Sequence, residues 1–202
     1  MPYGYLGQNQ PNQTVNNSGV FSITDVAELQ SQGKLGGSLE LIEEQTASSD
    51  SAIEFLSIQE NKFDVHYLSI FLTEATGNVD LQLSNNGGTS YHTTGYQYAE
   101  QYGSVGGTFA DAKGTSLGYM MTLGGGGTGL SKNAYSYLYN LGNSNKYSFQ
   151  TFHFFGEHPT LSNYFKFGGG VYPTAETHNA IRLFMSSGTM TGTIKLYGVK
   201  QI

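Results

Sequence analysis

The sequence predicts an all-β chain: a single antiparallel β-sandwich, jelly-roll-like, with an extended N-terminal arm and one short helix. Three observations predict it. Short runs alternating apolar and polar residues recur from Ser38 to the C-terminus. Clusters of Gly, Asn and Ser separate most of them, as the turns of a sandwich require. Aromatic residues make up 13% of the chain, 15 Tyr and 12 Phe, which a disordered Gly-rich chain would not carry. With only 4 Pro against 28 Gly, the glycines read as turn residues and not as a Pro/Gly low-complexity tract.

The chain divides at about residue 37. Residues 1–37 form the predicted anchoring arm and helix, and residues 38–202 the sandwich. The opening MPYGYLGQNQPNQTVNNSG has no charged side chain and no period of 2 or 3.6, so it reads as extended. Tyr3, Tyr5 and Leu6 would be wasted in water. Either this is a frayed terminus or an arm that docks on a partner. Next, Asp25 and Glu28 have the spacing of a capping box. Val26 and Leu29 fall on one helical face and Gly33 is a good stop, which predicts a helix over residues 24–32. The docking reading assigns Tyr3, Tyr5, Leu6, Val20, Phe21, Ile23, Val26 and Leu29 to partner contact. The sandwich is expected to fold without them.

From Ser38 the elements follow in order. SLELIEEQ alternates and then slips, predicting a bulge. AIEFLSI sets Ile53 and Phe55 against Glu54, Leu56 and Ile58. VHYLSIFLTE is apolar on both faces, Tyr67 and Phe71 opposite Leu68, Ile70 and Leu72, and predicts a strand buried on both. VDLQLS predicts Val79, Leu81 and Leu83 inward, with Asp80 and Gln82 outward. Further strands are expected at residues 93–100, 117–123, 134–141, 148–155, 164–171, 180–186 and 192–199. No fixed-period repeat is present, which argues against a solenoid or propeller.

Composition excludes several functions. The net charge is −6 with no basic stripe, so no nucleic-acid binding is expected. There is no Cys, hence no disulfide framework or thiolate metal site. The N-terminus lacks the basic and apolar regions of a signal peptide. No stretch reaches the eighteen or so apolar residues of a membrane span, so no membrane insertion is expected.

No motif selects a chemistry. GGGGTG at residues 124–129 matches G-x-G-x-x-G, but an alternating Tyr-rich segment follows instead of a helix, and no acidic residue lies about 20 positions on. HFFGEHP carries His153, Glu157 and His158, yet its Gly and Pro argue for a strand end and turn. His66, His92 and His178 lie far apart in sequence and are expected to be ordinary satisfied or exposed histidines. Asp64, Asp80, Glu100, Asp111 and Glu157 show no spacing that selects a glycosidase pair. No enzyme activity, cofactor or metal is expected.

Tyrosine is the informative side chain, because it offers contact area at low entropic cost. Tyr135, Tyr137 and Tyr139 fall on one strand face, either an ordinary half-buried face or a subunit or glycan contact. Recognition is expected on loops, at residues 102–114 with Tyr102 and Phe109, and at residues 124–132 with Gly124, Gly125, Gly126 and Gly127.

Three stretches carry a resemblance. SAIEFLSIQENKFDVHYLSIFL, LQLSNNGGTSYHTTGY and IRLFMSSGTMTGTIKLYGVK resemble the opening strand pair, a hairpin and the C-terminal strands of jelly-roll, lectin-like domains of bacteriophage virions and tails. The segment GVFSITDVAELQSQGKLGGSLELIEEQ is similar to leaders of structural proteins from phages of aquatic bacteria, cyanophages included. The resemblance implies a tail, baseplate or fibre component at the particle surface, with a capsid decoration or head-fibre protein as the alternative; a lectin or glycan hydrolase is the third reading. The implied partners are other virion proteins and further copies of the chain as a homotrimer. A host surface glycan or protein is the remaining candidate.

Overall fold

The computed structural model describes residues 38–124 and 127–200, together with Thr24 and Ala27. The chain divides into two units, Met1–Ser38 and Leu39–Ile202. The predicted anchoring residues Tyr3, Tyr5, Leu6, Val20, Phe21, Ile23, Val26 and Leu29 lie outside the described residues. Of the expected helix only Thr24 and Ala27 are described, both helical and exposed.

The second unit is an antiparallel β-sandwich of twelve strands: β1 (Leu39–Asp50), β2 (Ala52–Phe55), β3 (Val65–Ala75), β4 (Val79–Ser84), β5 (Tyr96–Ser104), β6 (Phe109–Leu117), β7 (Met121–Leu123), β8 (Lys132–Tyr139), β9 (Ser148–His158), β10 (Ser162–Tyr172), β11 (Ala180–Met185) and β12 (Met190–Val199). One sheet has eight strands in the order β1-β12-β3-β8-β9-β10-β5-β6, and the other has four, β2-β11-β4-β7. Removing the hairpins β9–β10 and β5–β6 leaves β1-β12-β3-β8 facing β2-β11-β4-β7. That is the strand order of a jelly roll, two Greek keys wrapped into a double sheet. The two hairpins widen one sheet only.

Alternation decides which residues enter the core. Leu68, Ile70 and Leu72 of β3, Leu138 of β8, Phe152 and Phe154 of β9, and Ile194 and Leu196 of β12 point inward from the large sheet. They meet Ile53, Phe55, Leu81, Leu83, Met121, Leu123, Ile181 and Leu183 of the small sheet. Each fully buried side chain of this size contributes about 1.5–3 kcal/mol. Tyr96 is buried whole, and its phenol oxygen accepts the backbone N–H of Leu83 at 2.8 Å, so its polar end stays satisfied.

The expected slip in β1 appears as a register shift between Leu41 and Glu43 against β12. Other expectations need correction. β3 is buried on one face only, and Phe71 on the other is 61% exposed. Asp80 and Gln82 do not face water. They are buried, because residues that link β6 to β7 lie over β4: the Gly118 carbonyl accepts from Gln82 Nε2, and burial, with the nearby Asp80 carboxylate adding to it, raises the Tyr119 phenol pKa. The stretch 102–114, expected as a loop, is a hairpin of β5 and β6 closed over Val105–Thr108. β6 itself was not anticipated, and the strand expected at 117–123 is divided between β6 and β7.

Candidate functional site: the outer face of the large sheet

The face of the large sheet turned away from the small one is built by the other half of the alternation. Cross-strand pairing lays its side chains in rows. One row runs Leu41, Tyr197, Tyr67, Tyr137, Thr151 across β1, β12, β3, β8 and β9. The next runs Lys195, Ser69, Tyr135, His153, Phe167, Gln101. A third runs Thr193, Phe71, Asn133, Phe155, Phe165, Gly103, Phe109. Within these three rows the positions on β3, β8, β9 and β10 carry no Asp, Glu, Lys or Arg, and Glu157, two residues beyond Phe155 on β9, is a charge on the same side.

The rings touch along and across the strands. Tyr67 has Tyr137 at 5.1 Å, Tyr197 at 5.9 Å and Tyr135 at 6.2 Å between centroids. Burial among these rings, and the neighbouring phenols, push the Tyr67 hydroxyl pKa up. Phe165 and Phe167 stack at 6.1 Å with 7° between planes. Tyr135 Oη and His153 Nδ1 are 3.0 Å apart. Gly103 is what lets the third row reach β6: a Cβ there would sit 2.7 Å from the Phe165 ring and 2.8 Å from the Phe109 ring. A groove of about 760 Å³ runs over Tyr67, Phe71, Tyr135, His153, Phe155 and Phe167. Phe71, Phe109 and Phe155 are each more than half exposed.

Of the residues singled out in the sequence, Tyr135, Tyr137, Tyr139 and Phe109 therefore belong to one surface. Tyr102 does not. It points to the opposite side of β5, with Lys166 Nζ 5.9 Å from its ring centre. Gly124 is buried and its carbonyl accepts the Tyr164 hydroxyl. The Gly127 N–H bonds the Ala75 carbonyl at 2.9 Å. So both described ends of the glycine run are held by the scaffold, and Gly125 and Gly126 lie outside the described residues. Sequence reading missed Phe71, Phe155, Phe165, Phe167 and Tyr197 as members of the face.

A second, polar site lies where the β5–β6 hairpin passes the β7 edge. Tyr98, Glu100, Tyr102, Tyr119, Tyr164 and Lys166 line a cleft of about 330 Å³. Lys166 Nζ pairs with Glu100 Oε1 at 2.6 Å, and both side chains are nearly dry. Burial raises the Glu100 pKa, with Lys166 opposing it. Burial likewise pushes Asp80 up to about 6, against the opposing pull of Thr122 and Lys166. Two acids thus meet near one lysine, but the lysine neutralises Glu100 and Asp80 is only 4% exposed.

Ser148 Oγ lies 2.8 Å from His178 Nδ1, and His178 Nε2 lies 3.5 Å from Glu176 Oε1. The order is that of a nucleophile, base and orienting acid, yet Ser148 and His178 are both fully buried, so no substrate can reach the hydroxyl. His153, Glu157 and His158 fall at the end of β9, where His158 Nδ1 accepts the N–H groups of Thr160 and Leu161 and so caps the turn. Among the described residues, His92, Glu176 and His178 are the group that could hold a metal. Comparison of the chain with protein-family models, with curated proteins and with solved structures finds no match.

Proposed function

We propose that the chain is a structural subunit of a bacteriophage particle, a tail, baseplate or fibre component, that assembles with copies of itself through the outer face of its large sheet. The observation that carries the assembly reading is the aromatic field of the three rows, uncharged where they cross β3, β8, β9 and β10. Monomeric proteins rarely leave so broad an apolar field in water. Its Tyr- and Phe-rich, charge-poor make-up is that of an interface core. The occupant is another copy of the chain: at a net charge of −6 two copies repel on average, and this face is where that repulsion is weakest. The phage assignment is supported by the likeness of the β2–β3, β4–β5 and β11–β12 segments to virion jelly rolls, and that likeness favours a trimer.

Light scattering on the purified chain is expected to give an oligomer at micromolar concentration. Phe71→Glu combined with Phe155→Glu should reduce it to a monomer with unchanged circular dichroism. A wild-type monomer at high concentration would overturn the assembly reading. Mass-spectrometric counting on purified particles tests the rest. A few to a few tens of copies fit a tail part, hundreds fit a capsid decoration, and absence from the particle removes the virion assignment.

A further inference from the structure

His92 lies in the link from β4 to β5, and Glu176 and His178 lie in the link from β10 to β11. Each link carries the chain from one sheet to the other. His92 Nε2 is 3.0 Å and His178 Nε2 3.5 Å from the same atom, Glu176 Oε1, and all three atoms lie within 4.8 Å of one another.

The three atoms are buried, and none makes a hydrogen bond. At 3.0 Å that is informative. The His92 ring and the carboxylate are close enough for a hydrogen bond but do not make one, and the three atoms stand together within 4.8 Å. Buried polar groups normally find partners, and three together without any call for a cation between them.

The far sides of the ligands are held. His178 Nδ1 meets Ser148 Oγ at 2.8 Å, and His92 Nδ1 meets the Tyr172 hydroxyl at 3.1 Å. Glu176 Oε2 accepts from Asn85 Nδ2 at 2.8 Å. Anchoring the second ring nitrogen is what fixes the orientation of metal-binding histidines. The main chain is fixed too: the His92 N–H bonds Leu83 O at 3.0 Å and the His178 N–H bonds Leu141 O at 2.7 Å. Tyr172 stacks on the His92 ring at 4.4 Å and covers it.

We propose that His92, Glu176 and His178 form a site for one divalent transition-metal ion, zinc by its ligand chemistry, that clips the two sheet-to-sheet links together. Two imidazoles and a carboxylate suit zinc, at about 2.0–2.2 Å from each ligand atom. Ligands of a tetrahedral ion at that distance stand roughly 3.3 Å apart; the separations from Glu176 Oε1, 3.0 and 3.5 Å, bracket this, and the two imidazole nitrogens lie within 4.8 Å of each other. Calcium and magnesium, which take oxygen ligands, are disfavoured. With His178 wholly buried, the role is structural. Sequence spacing does not reveal this group, because its three members come from two distant links and only the fold brings them together.

The test uses the untagged full chain, stripped with a chelator and dialysed. Zinc should be retained at one ion per chain by elemental analysis. At about 100-fold over Kd it should raise Tm by roughly 5–10 °C. Cobalt(II) should give the visible absorption of a four- or five-coordinate ion. Glu176→Gln and His92→Gln should abolish both signals while keeping the metal-free Tm. Ser148→Ala should weaken binding about 10–100-fold. No retained ion and no Tm shift in the wild type would overturn the proposal. So would a cobalt spectrum that survives Glu176→Gln, since the ion would then sit elsewhere. If a histidine variant does not fold, the Glu176→Gln comparison still decides.

Discussion

Replacing Asp80 by Asn should stabilise the protein at neutral pH. Asp80 sits on β4 at 4% exposure, under Tyr98 and Tyr119, and one of its oxygens makes no hydrogen bond. Its pKa rises from an ordinary 3.8 to about 6. The folded state therefore holds a proton more firmly than the unfolded chain. That contribution is fully present below about pH 4 and is lost as pH rises through about 6. At about 1.4 kcal/mol per pH unit, a separation of about two units makes the ionised carboxylate cost about 3 kcal/mol at pH 7. Asp80→Asn removes the ionisation and keeps the shape. Denaturant titrations of both proteins at pH 4 and pH 7.5 should show a gain that is small at pH 4 and about 3 kcal/mol at pH 7.5, which is roughly 6–12 °C in Tm for a chain of this length. Histidines that are buried neutral titrate in both proteins, so the difference isolates Asp80. A variant less stable than wild type at pH 7.5 would refute the reasoning: the carboxylate would then be ionised and held by Lys166.

Two other substitutions read the interior. Lys166→Met should cost about 3–5 kcal/mol, because it leaves Glu100 buried without its cation; the double change with Glu100→Leu should recover most of that in urea denaturation, and a double variant as weak as the single would argue against charge burial as the cause. Gly170→Ala should destabilise by about 1–3 kcal/mol, since an added Cβ falls inside contact distance of the Met120 carbonyl, whereas at Gly106 the nearest atom would be 3.6 Å away and Gly106→Ala should stay within about 0.5 kcal/mol.

Local alternation carried most of the strands. β3, β9, β11 and β12 each bury residues largely at every second position, and that period is written in the sequence itself. β6 was not legible, because FADAKGTSL buries none of its residues fully and an edge strand needs no apolar stripe to pair. The stripe Tyr135, Tyr137, Tyr139 was visible as one face of one strand. That Phe71, His153 and Phe167 extend it depends on strand order, which alternation does not encode. Asp80 and Gln82 read as solvent-facing, because a two-layer picture has no third element to cover them. The β5–β6 hairpin and its link to β7 supply that cover.

The two added hairpins also decide how the protein can associate. They widen one sheet to eight strands, and among the described residues its outer face is uncovered, so this unit offers both edges and a face. The edges are guarded. β1 carries Glu40, Glu43, Glu44 and Asp50, and β6 carries Asp111 and Lys113, both exposed. Charged edge strands resist strand-to-strand addition. In the small sheet the edges β2 and β7 have only 4 and 3 residues, too short to template another strand well. The central outer face has no such guard. Association is therefore expected face to face, and the edges predict how to tell the two apart. Asp111→Thr with Lys113→Thr removes the β6 guard and alters no aromatic side chain, although Asp111 pairs with Gln101 at the end of the second row. Oligomer mass should be unchanged at early times, while slow aggregation with rising thioflavin fluorescence appears on incubation, as for an unprotected edge. If these two changes instead shift the oligomer mass at once and leave no aggregation, the β6 edge is the native contact and the face is not.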